Sequence, residues 1–264
     1  MRSYDASTAT DLEPAALVLA ELHRRALACG VEIMVVGATA RDILIRHVTG
    51  AAPERRTADI DVAVAVSSWA DLGALTRDFP SAREVHRFMV RSTAVDVIPF
   101  GEIEAPDRTV TWSNEHRMDV FGFREAWAAA VQVTLPGGLA VAVASLPAQS
   151  LLKLFAWRDR RYQDRRDAID LKTIVSAYQE GPYFDELYAA HQELLVKHDF
   201  DPLLAGAERI GREARSLVAS ADRAIVTGVL GPALLAALAG DMGGRVDSNR
   251  ALLAAYKNGF GPDS

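Results

Sequence analysis

Asp59 and Asp61 stand two residues apart in the run Arg55-Arg56-Thr57-Ala58-Asp59-Ile60-Asp61-Val62-Ala63-Val64. Residues at that spacing on a strand point to one face, so the two carboxylates project together while Ile60 and Val62 enter the core. Adjacent carboxylates repel and raise each other's proton affinity unless a cation lies between them. A divalent ion resolves the repulsion, and Mg²⁺ favours one or two carboxylates completed by substrate phosphates. A solvent-exposed strand end with two acids has the same pattern, so the pair gains meaning from its surroundings.

Two other segments supply such surroundings. In Val35-Val36-Gly37-Ala38-Thr39-Ala40-Arg41-Asp42 a strand ends, a small-residue turn follows and a helix starts at once. That geometry aims free backbone N–H groups and the positive end of a helix dipole at one point. Gly37 and Ala38 are small enough for a triphosphate to approach, and Thr39 adds a hydroxyl donor. Turns of this kind occur throughout α/β proteins, so alone they specify little. Asp96 is a lone acid in the apolar run Thr93-Ala94-Val95-Asp96-Val97-Ile98-Pro99-Phe100-Gly101. A buried carboxylate without a partner costs several kcal/mol, so Asp96 needs a cation or a hydrogen-bond cluster unless it faces solvent on an edge strand. Beside the Asp59 strand it would bring three carboxylates together, enough for two metal ions that activate an attacking hydroxyl and stabilise leaving pyrophosphate.

The elements that must position these residues follow from periodicity. Residues 12–28 have helical spacing ended by Gly30, and residues 31–36 form a short β-branched run. A helix over 38–47, a polar loop over 49–56 and a strand over 60–66 come next, with Ser67 and Ser68 as caps for a helix to about residue 77. Strands are expected over 84–92 and 93–100, the second ended by Pro99-Phe100-Gly101, then a charged loop, a helix over 124–130 and strands near Val131 and Val141. From Leu146 the pattern turns helical: 147–158, 164–178, 182–198, 202–219, 223–238 and 248–257. Strands mixed with helices, then helices alone, give an α+β fold whose residues 1–145 form one domain and 146–264 a helical second.

Bulk properties narrow the function. The chain has 264 residues, half of them hydrophobic, and a net charge of -6. No apolar run approaches the roughly 20 residues of a membrane-spanning helix, and no secretory signal is visible at the N-terminus. The single cysteine, Cys29, rules out an internal disulfide, fits a reducing cytoplasmic compartment, and reads as a small core residue near a helix end. The acidic balance argues against a protein that coats nucleic acid, yet Lys153 to Lys172 holds seven basic residues against four acidic ones. That cluster is either a solvated helix face laced with ion pairs or a local contact for RNA.

Taken together, the three motifs resemble the DNA polymerase β-like nucleotidyltransferase superfamily, and in particular its AbiEii-type members, which include toxins of toxin–antitoxin systems. Gly37-Ala38-Thr39-Ala40-Arg41 is similar to the family's turn, Arg55-x-Thr57-x-Asp59-Ile60-Asp61 to its second motif, and Asp96 to its third acid. The second glycine of the family turn is Ala38 here, a change that strains the backbone only if the position needs positive φ. The likeness covers about residues 31–175. It continues through Leu151-Leu152-Lys153-Leu154-Phe155-Ala156-Trp157-Arg158 and Arg166-Asp167-Ala168-Ile169-Asp170-Leu171.

The resemblance implies a polymerase β-like mixed sheet with flanking helices, and a helical half that completes the active-site cleft. It implies Asp59, Asp61 and Asp96 as ligands of Mg²⁺ or Mn²⁺, and Gly37, Ala38, Thr39, Arg41, Thr57, Arg158 and Asp170 as nucleotide contacts. Lys153 would contact the triphosphate, a role suited to a flexible point charge, and Asp167 would sit near the attacking group as base or orienter. Asp167 and Asp170 share a helix face, and Asp170 has Arg166 or Lys153 as pairing partners.

The activity implied is transfer of NMP from an NTP to an RNA 3′ end, tRNA foremost, with an antitoxin protein as partner. Transfer to a small molecule or protein side chain, or a non-catalytic nucleotide-binding module, stays open. Asp42-Ile43-Leu44 is also similar to CCA-adding enzymes, whose nucleotide-selecting motif has no counterpart in the later helices. The six histidines lack zinc-ligand spacing. Trp112 and Trp127 read as core residues, while Trp157 would either stack on a nucleobase or close the core between domains.

Overall fold

The computed structural model describes residues 2–50 and 59–261. The chain parts into two compact units, Met1–Ile43 with Arg55–Ser145, and Leu44–Glu54 with Leu146–Ser264.

The first unit is built on strands β1 (Ser3–Asp5), β2 (Glu32–Val36), β3 (Ile60–Val66), β4 (Arg87–Val90), β5 (Thr93–Gly101), β6 (Thr109–Thr111), β7 (Arg117–Asp119), β8 (Val131–Thr134) and β9 (Ala140–Val143). Its helices are α1 (Glu13–Cys29), α2 (Gly37–Leu44), α3 (Trp69–Thr76) and α4 (Phe123–Ala128). Seven strands form one mixed sheet in the order β1-β8-β9-β2-β3-β5-β4, and β6 and β7 form a separate hairpin. β3 runs antiparallel to β2 and parallel to β5, which places Val36 beside Asp61 and Asp61 beside Asp96. Val35, Val62, Val64 and Val95 in these central strands are fully buried. Each such side chain contributes about 2 kcal/mol, so the register that buries them is strongly held. Leu19 and Leu22 of α1 are also fully buried, whereas Cys29 at the helix end is half-buried instead of a core residue.

Local signals explain most boundaries. Gly30 takes φ 68° where α1 stops. Ser68 caps α3 in a capping box with Asp71, worth about 1 kcal/mol. β4 is shorter than the run from which it was expected, the β6–β7 hairpin falls where a charged loop was expected, and β1 precedes the first expected element. β5 runs through Pro99 to Gly101, one residue past its expected end. Val97 N–H donates to the His86 carbonyl on the β4 side, and Pro99, two residues on, turns its missing donor to that same side, beyond the end of β4.

The second unit is helical: α5 (Leu146–Arg160), α6 (Arg166–Ser176), α7 (Gly181–Ala190), α8 (Gln192–Lys197), α9 (Pro202–Leu217), α10 (Arg223–Val229), α11 (Pro232–Asp241) and α12 (Val246–Asn258). Two helices expected as single spans are broken. At His191 the Gln192 side-chain amide donates to the Tyr188 carbonyl at 3.0 Å, competing with the backbone donor. At Gly231-Pro232 the extended Gly231 precedes a proline that opens α11. Among the described residues no single helix is long and apolar enough to cross a membrane.

Candidate active site

In the first unit the site begins where β2 runs directly into α2. Gly37 takes φ 64°, and a Cβ there would lie 2.0 Å from Asp61 Oδ2 and 2.8 Å from Asp61 Cβ. The Asp61 carboxylate therefore occupies the space over this turn that only glycine leaves. Ala38 is not among the residues of positive φ, so alanine at the second turn position is unstrained. Thr39 is buried and its Oγ1 donates to the Asp59 carbonyl at 3.4 Å, tying the turn to the start of β3. Arg41 is buried, with its Nε donating to Asp42 Oδ1 at 2.8 Å. Thr57 lies outside the described residues.

Asp59 sits on the bend that leads into β3, one residue before the strand that begins at Ile60. Ile60 and Val62 are buried below, and Asp61 is half-buried on the other face. β5 does lie beside β3, and Asp96 is buried opposite Asp61. Arg87, its register partner on β4, grips Asp96 with both ends of its fork: Nε to Oδ1 at 2.6 Å and Nη2 to Oδ2 at 2.7 Å. The same Nη2 reaches Asp59 Oδ2 at 3.4 Å. Hydrogen bonding to Asp96 holds the guanidinium well above its ordinary pKa.

These donors decide which ion the site suits. They are hard oxygens on one loop and two adjacent strands, a set that favours Mg²⁺ or Mn²⁺ over softer ions. Asp59 and Asp61 fit that role, whereas Asp96 has both oxygens committed to Arg87. Among the described residues no three acids, histidines or cysteines are arranged to hold an ion.

The second unit gathers the other expected residues into a buried charge network. Lys153 Nζ lies 3.0 Å from Asp167 Oδ1 and 2.6 Å from Asp170 Oδ2. Arg160 closes a fork on Asp167, with Nε to Oδ2 at 2.6 Å and Nη2 to Oδ1 at 3.0 Å. Burial alone would push the Asp167 carboxyl up, but Arg160 and Lys153 outweigh it and hold it below the usual carboxylate value. Burial likewise opposes the Lys153 ammonium, and Asp167 and Asp170 outweigh it and hold its pKa above the ordinary value. A carboxylate with both oxygens gripped and its proton affinity lowered is a poor base. The arrangement suits Asp167 as an orienter. Arg158 pairs with Asp159 and lies over the Phe155 ring, 4.7 Å from its centroid. Trp157 is fully buried, and its Nε1 donates to Asp241 Oδ2 at 3.0 Å.

Arg87 and Arg160 were not singled out from the sequence. Arg87 had a usable signal, since it is a basic residue in a short expected strand next to the strand of a lone acid. Arg160 had none, because its partner depends on how α5 and α6 dock.

Residues 30–234 match the family described as "Nucleotidyl transferase AbiEii toxin, Type IV TA system". Among solved structures, the antibiotic-resistance factor ANT(2'')-Ia is similar at 11% identity and TM-score 0.41, covering 70% of this chain and 95% of its own. The Thermotoga maritima CCA-adding enzyme complexed with tRNA is similar at 12% identity and TM-score 0.26, covering 94% of this chain and 81% of its own. No curated protein matches the chain.

Proposed function

The chain belongs to the AbiEii family of nucleotidyl transferases, and from that premise we propose that it transfers NMP from an NTP to an RNA 3′ end, tRNA foremost. The observation that carries the reading is the seat of Asp61, set over the Gly37 turn on one side and beside Asp96 on the other. A backbone turn that presents N–H groups next to carboxylates able to hold Mg²⁺ or Mn²⁺ is what a triphosphate requires.

In this reading the Gly37-Ala38-Thr39 turn binds the triphosphate, and Asp59 and Asp61 would hold the ion, joined by Asp96 only where Arg87 yields one of the oxygens it grips. The ion would polarise the phosphoryl oxygens and favour the attacking hydroxyl as alkoxide. Lys153 neutralises phosphate charge, oriented by Asp167 and Asp170. The acceptor oxygen bonds to the α-phosphorus, the bond from that phosphorus to the bridging oxygen breaks, pyrophosphate leaves and the hydroxyl proton passes to solvent. An antitoxin protein is the partner that would restrain the activity in the cytoplasm.

Incubation with α-labelled NTPs, Mg²⁺ and total tRNA tests this directly. Wild type should label tRNA, and Asp59→Ala or Asp61→Ala should lower the rate on the order of a thousandfold, equivalent to about 4 kcal/mol of lost charge stabilisation. No transfer by wild type, or undiminished transfer by either variant, refutes the reading.

A further inference from the structure

The turn from α5 to α6 reads Arg158-Asp159-Arg160-Arg161-Tyr162-Gln163-Asp164-Arg165-Arg166, five arginines against two aspartates. Its backbone is tied back by Arg161 N–H to the Trp157 carbonyl at 2.9 Å and by Gln163 N–H to the Arg160 carbonyl at 2.8 Å. Tyr162 at its apex is 89% exposed, which is unusual for a large aromatic side chain in a charged turn. The ring is nevertheless held. The Arg161 guanidinium lies 4.8 Å from the Tyr162 centroid and 5.0 Å from that of buried Trp157, so cation and rings form a ladder. Asp241 anchors the ladder's base through Trp157 Nε1 and draws in Arg165, whose Nε is 3.2 Å from Asp241 Oδ1. Arg161 forms no ion pair with a carboxylate among the described residues, and the two rings lie against the guanidinium of this half-exposed residue.

We propose that this turn is a docking surface for single-stranded RNA. An unpaired base continues the ladder on the open face of Tyr162, and flanking phosphates take Arg161 and Arg165. A duplex keeps its bases inside the stack and would leave the ring unused. An acidic protein would use the arginines with no need of the ring. The ring, preordered at the apex among cations, favours a strand with exposed bases. The RNA identity of the strand rests on the nucleotidyl-transfer reading; the stacking surface does not.

The test is fluorescence anisotropy of the full-length protein with a labelled, unstructured RNA of about a dozen nucleotides, within the ~4–16 nucleotide footprint of such sites. Tyr162→Ala should weaken binding about tenfold, while Tyr162→Phe should bind as wild type does. Arg161→Gln should weaken binding and lower the salt slope by about 0.7. Unchanged binding in Tyr162→Ala, or displacement of the RNA by polyglutamate regardless of residue 162, overturns the proposal. Tyr162-dependent RNA binding by a protein that transfers no label would leave this surface standing and remove the proposed activity. Label transfer with an unaltered KM for tRNA in Tyr162→Ala would do the reverse.

Discussion

At Gly37 two separate requirements meet, a left-handed backbone and empty space for the Asp61 carboxylate. They are separable by substitution, because Gly30 shares the positive φ of 68° but a Cβ there meets nothing within 4 Å. Gly30→Ala should cost about 1 kcal/mol of stability through the backbone alone and leave label transfer near wild type. Gly37→Ala carries the same backbone cost and also drives Asp61 aside, and a displacement of about 1 Å at a reacting centre costs roughly a hundredfold in rate. Melting temperatures and transfer rates for the two variants check this. Equal losses of activity would mean that the turn acts through folding and not through the seat of Asp61.

Among elements, the junction of α5 and α6 depends on Asp167, which is 2% exposed and receives both Arg160 and Lys153. Asp167→Asn leaves those cations partly uncompensated, so it should destabilise the protein by about 3 kcal/mol near neutrality. Because the folded Asp167 pKa lies below its unfolded value, the stabilisation is complete above about pH 4 and fades as pH falls through the folded value. The melting gap between wild type and Asp167→Asn should thus be constant from about pH 5 to 8 and narrow below about pH 4. A gap that keeps its size in acid would show that the variant's defect is one of packing.

For the whole molecule, a net charge of -6 argues against general coating of nucleic acid, so the proposed RNA contact is confined to the basic, aromatic turn. The family is described as a toxin family, so expression should expose a cost to the cell. Wild type is expected to arrest growth, Asp61→Ala to leave growth unaffected, and a neighbouring gene product acting as antitoxin to restore it. Growth curves with equal protein levels decide the matter, and arrest by Asp61→Ala would separate toxicity from nucleotidyl transfer.

What the amino-acid sequence determined by itself was local. Short apolar runs marked β3 and β5, glycine and proline marked turns, and helical spacing marked the second half, because each depends on residues within one or two turns of chain. The Asp-x-Asp pair, the Gly37 turn and Asp96 were legible for the same reason. Short β1, β6 and β7 hold too few residues to show a period, and the breaks at His191 and Pro232 were lost within longer helical runs. Tertiary structure alone decided that Asp96 answers to Arg87, that Lys153 and Arg160 converge on Asp167, and that Trp157 turns to Asp241 84 residues away. Those pairings follow from strand register and helix docking, which bring together side chains that no local spacing relates.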